Sequence, residues 1–205
     1  MNTLDELALK HGTDKSSLCH HYTRVYESYL ETRRERVGCV LEIGVWRGCS
    51  LKMWADYFPN ARIVGLDVSA ADLPADLSDR VEFHLTDGTK VPSALEQTTF
   101  DLIVDDGSHQ SRDIIHAFEA WFPRVKPGGV YVIEDLHAVY WPEYNVGCEP
   151  AAAIQYFKAL IDDLNCHGRS PCGNQDRDIG YVTRGREADV AFIHFHKCLI
   201  VVGRR

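Results

Sequence analysis

Between residues 39 and 135, five short runs of Val, Ile, Leu and Phe alternate with longer segments of helical period. The runs are CVLEIGV (39–45), RIVGLDV (62–68), RVEFHL (80–85), FDLIVDD (100–106) and GVYVIED (129–135). Each is apolar along most of its length, as a strand covered on both faces must be. The segments between them, including 50–58 and 111–122, repeat their apolar residues at helical spacing. This alternation builds βαβ units, and hence a parallel sheet with helices on both sides. The tail is different. Two further β runs, 190–195 and 198–203, are separated only by His196 and Lys197, which reads as a hairpin. The expectation is a doubly wound, mostly parallel α/β sheet that ends in an antiparallel hairpin.

A length of 205 residues suffices for one well-buried domain and is short for two. Residues 1–36 read as an amino-terminal helical segment. Residues 140–180 are less regular, with a helix over 151–164 and then a loop rich in Gly, Pro and Asn. An insertion of that length is either a lid over a site or a disordered surface loop. The composition, 45% hydrophobic and 25% charged, is that of a folded globular protein. The formal net charge is −8 and no basic stripe is present, which argues against a nucleic-acid partner. The opening MNTLDELALKHGTDKSS lacks a signal-peptide apolar stretch. No apolar run approaches the roughly 18 residues that span a bilayer. A soluble, cytoplasmic protein is expected.

Seven cysteines, at 19, 39, 49, 148, 166, 172 and 198, form no C-x-x-C pair, so neither a disulfide framework nor a zinc site is suggested. The local group Cys166, His167 and Cys172 reads as part of a loop in a reducing compartment rather than a metal site.

The first strand runs into Glu42-Ile43-Gly44-Val45-Trp46-Arg47-Gly48 and then a helix. A glycine turn there is the cofactor position of doubly wound folds. In the dinucleotide pattern G-x-G-x-x-G, the second glycine lets backbone touch a pyrophosphate. Trp46 fills that slot here and Cys49 the third, so NAD and FAD are disfavoured. An adenosine without phosphates tolerates such a loop. Asp67 ends the second strand and can accept from ribose hydroxyls. Asp87, after the third, can hold an adenine amino group. The plainer alternative is that Gly44 and Gly48 only shape a tight turn and Asp67 caps a helix.

The next two strands end in acid pairs, Asp105-Asp106 and Glu134-Asp135. Neighbouring strands lie about 4.8 Å apart, so these carboxylates converge at one sheet edge. Several uncompensated carboxylates in one crevice repel, and need protons or a cation. A hard ion such as Mg²⁺ suits an all-oxygen set. His109 follows Asp106 by three residues, which puts an imidazole beside the crevice. A metal can acidify a hydroxyl while a base removes its proton. The alternative is that Asp106 and Asp135 cap helices and His109 is an ordinary loop residue.

VLEIGVWRG, VGLDVS, LTDG, FDLIVDD and KPGGVYVIED together resemble the motif series of class I S-adenosylmethionine-dependent methyltransferases. The resemblance covers roughly 40–135 and implies a Rossmann-like, seven-stranded sheet. It assigns Glu42, Gly44, Gly48 and Asp67 to the methionyl and ribose parts of S-adenosylmethionine, Asp87 to adenine, and Asp105 to the same cofactor site. DDGSH with IED, and the amino-terminal HGTDKSSLCHHYTRVYESYL, resemble the Mg²⁺-dependent O-methyltransferases that act on sugars of macrolides and related glycosides. That likeness implies Asp106, Glu134 and Asp135 as metal ligands and His109 as the base. The expected acceptor is a sugar hydroxyl of a saccharide, polysaccharide precursor or glycosylated natural product, and the expected assembly a homodimer or higher homo-oligomer. Several glycoside members carry an extra amino-terminal domain that this sequence does not show. Rival readings are a catechol or phenol O-methyltransferase and a cofactor-binding module without catalysis. His20 and His21 are read as part of an amino-terminal segment folding over the cofactor. His137, Trp141 and Tyr144 stand as candidates for acceptor contact, Trp121 as core, and His194 and His196 as structural.

Overall fold

Thr3 opens the first helix, α1 (Leu4–His11), with a reciprocal cap. Its hydroxyl accepts from Glu6 N at 3.1 Å while the Glu6 carboxylate accepts from Thr3 N at 2.8 Å. Gly12 closes that helix in the left-handed region, φ 72°. The computed structural model describes residues 2–70, 72–144, 147, 149, 151–166 and 189–205. The chain continues through α2 (Tyr22–Leu30), β1 (Cys39–Ile43), α3 (Cys49–Tyr57), β2 (Arg62–Asp67), β3 (Val81–Leu85) and β4 (Phe100–Asp105). Then follow α4 (Ser111–Trp121), β5 (Val125–Ile133), α5 (Ala152–Cys166), β6 (Val190–His196) and β7 (Leu199–Arg204).

The seven strands form one sheet in the order β3-β2-β1-β4-β5-β7-β6. β1 pairs parallel with β2 and β4, β2 with β3, and β4 with β5. β7 runs antiparallel to β5 and to β6. The expected fold is the one found. Strand order reverses at β1, whose neighbours are β2 on one side and β4 on the other. In open α/β sheets that switch point opens a crevice beyond the carboxyl ends of the strands.

Alternate residues of the central strands face opposite layers, as period 2 requires. Leu41 and Ile43 pack with Phe118 of α4 and Phe157 of α5. Val40 packs with Tyr26 of α2 and Trp54 of α3. Both layers close over the central strands β1 and β4, which are therefore apolar at nearly every position, while the edge strands β3 and β6 stay partly exposed. Burying a large side chain of this kind stabilises by about 1.5–3 kcal/mol.

Two boundaries differ from expectation. β5 starts at Val125 rather than Gly129, because Val125 pairs with Phe100 across an irregularity between Phe100 and Leu102. The hairpin turn is Lys197-Cys198, one residue later than read, since His196 pairs with Leu199 and Cys198 turns at φ 61°. Within residues 2–36, α1 and α2 are separated by a run of turns over 12–21, and a further helical turn follows at Glu31–Arg36. In 140–180, a short turn at Pro142–Tyr144 precedes α5. The remainder of that stretch, with the group at His167 and Cys172, lies outside the described residues. No helix among the described residues is long and apolar enough to cross a membrane.

Candidate active site

At the switch point lies a cavity of about 610 Å³. Gly44 leaves β1 at φ 84°, its N–H donating to Leu66 O at 2.8 Å, while Asp106 N donates to Ile43 O at 2.8 Å. The two loops are so close that a Cβ on Gly44 would lie 2.0 Å from Asp106 O. Only glycine allows this approach, which brings the cofactor-type loop against the acidic loop. Asp67 accepts through one oxygen from Val45 N at 2.8 Å and Trp46 N at 2.9 Å. Its other oxygen accepts from Ser69 N at 2.9 Å. Asp87 binds the N–H and hydroxyl of Thr89, and with Lys90 nearby its carboxyl is held down at about 2. Gly44, Asp67, Asp87, Asp105, Asp106, His109 and Asp135 all line the cavity.

Glu42, Gly48 and Glu134 are not among the residues that line it. Gly48 sits at the amino end of α3 with φ 67° and is pressed against Pro74 and Leu73, so it shapes the turn. Glu42 is fully buried under the loop, with Ser50 donating to it at 2.7 Å. Glu134 is buried too, its carboxylate bonded to Tyr26 on one oxygen and to Lys15 at 2.8 Å on the other.

Lys15 is the residue that sequence reasoning left out. It is 1% exposed, and its ammonium lies 2.5 Å from Asp106, 2.8 Å from Glu134 and 3.5 Å from Glu42. The carboxylates expected to lack compensation therefore have a cation of the chain's own. Burial alone would lower the lysine pKa, but the three carboxylates hold it well above its ordinary value. Lys15 stays charged and is no proton acceptor. Burial pushes the Glu42 carboxyl up to about 7 in spite of Lys15, and pushes Asp105 to about 7 and Glu134 well upward. The signal that could have found this network is H-H-Y-x-x-x-Y. Tyr22 and Tyr26, one turn apart on α2, donate to Asp135 (2.6 Å) and Glu134.

Beyond Lys15, the acids open toward solvent. Asp106, His109 and Asp135 each offer a ligand atom within 4.8 Å of the others, the group among the described residues that can hold a metal there. His109 Nε2 lies 3.8 Å from Asp135 Oδ2. His109 and Asp135 have φ of 56° and 51°, conformations that non-glycine residues adopt only under constraint from their surroundings. The two carboxylates, on a partly open wall, suit a hard, partly hydrated divalent ion, with the imidazole standing beside them.

Residues 41–136 match the family described as "Methyltransferase domain". The chain is 34% identical, over 97% of its length, to 8-demethyl-8-alpha-L-rhamnosyl tetracenomycin-C 2'-O-methyltransferase of Streptomyces olivaceus. It is 34% identical over 88% of its length to mycinamicin VI 2''-O-methyltransferase of Micromonospora griseorubida. It covers 54% and 48% of those two proteins, so the chain spans about half the length of the curated relatives it matches. Among solved structures it resembles the MycE methyltransferase from the mycinamycin biosynthetic pathway in complex with Mg and SAH, with TM-score 0.82 and 29% identity. That match covers 99% of this chain and 54% of the other. The same enzyme with Mg, SAH and mycinamycin VI matches with TM-score 0.81 and 28% identity, over 99% of this chain and 53% of that one. With the fold, the strand-end acids and these likenesses in agreement, residues 41–136 of this chain belong to the methyltransferase domain family.

Proposed function

We propose that this chain transfers a methyl group from S-adenosylmethionine to a sugar hydroxyl of a glycosylated small molecule, with Mg²⁺ in the site. The observation that carries this reading is a shared wall. Asp106, His109 and Asp135 line the same cavity as Gly44, Asp67 and Asp87. Both relatives named above are, by their printed names, O-methyltransferases of glycosylated natural products. MycE, by its printed description, binds Mg and SAH.

Asp67 and Asp87 hold the ribose and adenine of the cofactor, Gly44 leaves room for its methionyl part, and Asp105 closes the floor. Glu42 and Gly48 support the loop from behind. Asp106 and Asp135 would hold Mg²⁺, with Glu134 beside them as a third carboxylate tied to Lys15 and Tyr26. When bound, the ion lowers the pKa of an acceptor hydroxyl and orients it. His109 accepts the hydroxyl proton as the acceptor oxygen bonds to the methyl carbon. The sulfur keeps the electron pair of the broken S–C bond. Lys15 is engaged with three carboxylates, which leaves His109 to serve as the base. The exposed edge strand β6, with Phe195 41% exposed, supports pairing between copies.

The test is turnover of rhamnosylated macrolide and polyketide acceptors with S-adenosylmethionine and Mg²⁺, followed by mass spectrometry. His109→Ala should lose about 10²–10⁴ in kcat while keeping S-adenosylhomocysteine affinity. Full activity in that variant would remove His109 from the role of base.

A further inference from the structure

Six rings enclose Asp135 in a closed circuit drawn from three separate parts of the chain. Tyr22 donates to Asp135 Oδ1 at 2.6 Å and stacks on His20 at 5.1 Å. His20 lies 6.0 Å from His137, and His137 meets Trp141 edge-on at 5.0 Å. Trp141 is 5.9 Å from Tyr144, and Tyr144 is 6.2 Å from His109, which returns to Asp135. Trp141 is 46% exposed and the adjoining Tyr140 is 62% exposed, whereas Trp54 and Trp121 are fully buried. Aromatic side chains clustered around a few polar groups are the lining that small-molecule sites use.

The position of this circuit is informative. His109 and Asp135 line the large cavity, but His20, His137, Trp141 and Tyr144 do not. The two shared residues therefore form a partition, with the cofactor-type cavity on one side and the rings on the other. Group transfer needs that arrangement, with donor and acceptor meeting across one catalytic wall.

Resting on the sugar reading above, we infer that the rings at His20, His137, Trp141 and Tyr144 form the acceptor subsite and take a pyranose ring of the glycoside. A pyranose has an apolar C–H face and a polar rim. Trp141 and Tyr144 supply flat apolar surface for the face, with few rotatable bonds to immobilise. His20 and His137 supply ring nitrogens for rim hydroxyls, and His137 Nδ1 is buried, lacks a hydrogen-bond partner and lies 4.0 Å from Asp135 Oδ1.

The experiment uses the full chain loaded with Mg²⁺ and S-adenosylhomocysteine, titrated with methyl α-L-rhamnopyranoside and followed by saturation-transfer NMR. The wild type should bind saturably, with the strongest transfer to the C–H protons of one ring face. Trp141→Ala should weaken sugar affinity about tenfold and leave S-adenosylhomocysteine affinity within about twofold, and Trp141→Phe should recover most of the loss. Equal sugar affinity in wild type and Trp141→Ala overturns the subsite while leaving the sugar reading intact. A matching loss of S-adenosylhomocysteine affinity overturns it as well, since that marks a structural role. Absence of sugar binding to the wild type overturns subsite and sugar reading together, and a parallel titration with 3,4-dihydroxybenzoate shows whether a catechol takes the place instead.

Discussion

The ammonium of Lys15 stands 2.5 Å from the carboxylate of Asp106, although the two residues are 91 positions apart. That one contact ties the amino-terminal segment to the carboxyl edge of β4. Lys15 also touches Glu134 at 2.8 Å, beyond the end of β5. Removing one partner of a buried ion cluster leaves uncompensated charge and costs about 3–5 kcal/mol.

Lys15→Met should therefore lower the metal-free thermal midpoint by roughly 6–20 °C, at about 2–4 °C per kcal/mol for a chain of this size. Millimolar Mg²⁺ should restore part of the loss by supplying positive charge to the same acids. Calorimetric scans with and without the ion check this. An unchanged midpoint would mean that the acids take up protons instead and that Lys15 is dispensable to the fold.

Glu42 makes the metal-free stability depend on pH. Its folded pKa of about 7 lies above the ordinary 4.5, with burial as the first cause. A carboxyl raised in this way favours the fold fully below its unfolded pKa, and that contribution disappears as pH rises through the folded value. From about pH 4.5 to 7 the loss is roughly 3 kcal/mol. Wild-type melting should fall over that window. Glu42→Gln, which does not titrate, should make the decline shallower, with the raised Asp105 and Glu134 carboxyls supplying the rest, and an equally steep decline in the variant would assign the pH dependence to those groups.

Gly44→Ala should be among the most damaging small substitutions in the chain. Its new Cβ would lie 2.0 Å from a backbone oxygen, and backbone cannot swing aside as a side-chain tip can. A loss above about 3 kcal/mol is expected, with soluble yield and S-adenosylhomocysteine binding falling together. Gly128→Ala is the control. It has φ 77° with nothing within 4 Å of the added carbon, so only local strain of about 1–2 kcal/mol applies.

The sheet was legible in the sequence because both of its faces are covered. Short apolar runs such as 39–45 and 102–104, rich in β-branched residues and bounded by turn signals, fit buried parallel strands, and the acids at their ends then emerge at one edge. Lys15, Tyr22 and Tyr26 were less legible for the opposite reason. A buried lysine is recognised by the carboxylates around it, and those come from β1, β4 and β5, far away in sequence. Glu134 and Asp135 are adjacent in the chain, yet one points to Lys15 and Tyr26 and the other to Tyr22 and His109. Sequence treated them as a pair, and only side-chain placement divides their roles. The ring circuit was legible in its members and not in its closure, because contact between His20 and His137 depends on how the amino-terminal segment folds back.

Asp135 is the residue on which the metal assignment turns. One of its oxygens accepts from Tyr22 and the other faces His109 at 3.8 Å. Mg²⁺ at 100 times its dissociation constant should stabilise the wild type by about 2.7 kcal/mol. Thermal midpoints should rise accordingly, by roughly 5–11 °C, and EDTA should remove both the shift and methyl transfer. Asp135→Asn keeps the shape and an acceptor for Tyr22 but loses the charge, so its midpoint should no longer respond to Mg²⁺. Tyr22→Phe keeps the charge and should still respond. If Asp135→Asn retains the full Mg²⁺ shift, the ion binds elsewhere, and His109 would act on a hydroxyl that no metal acidifies.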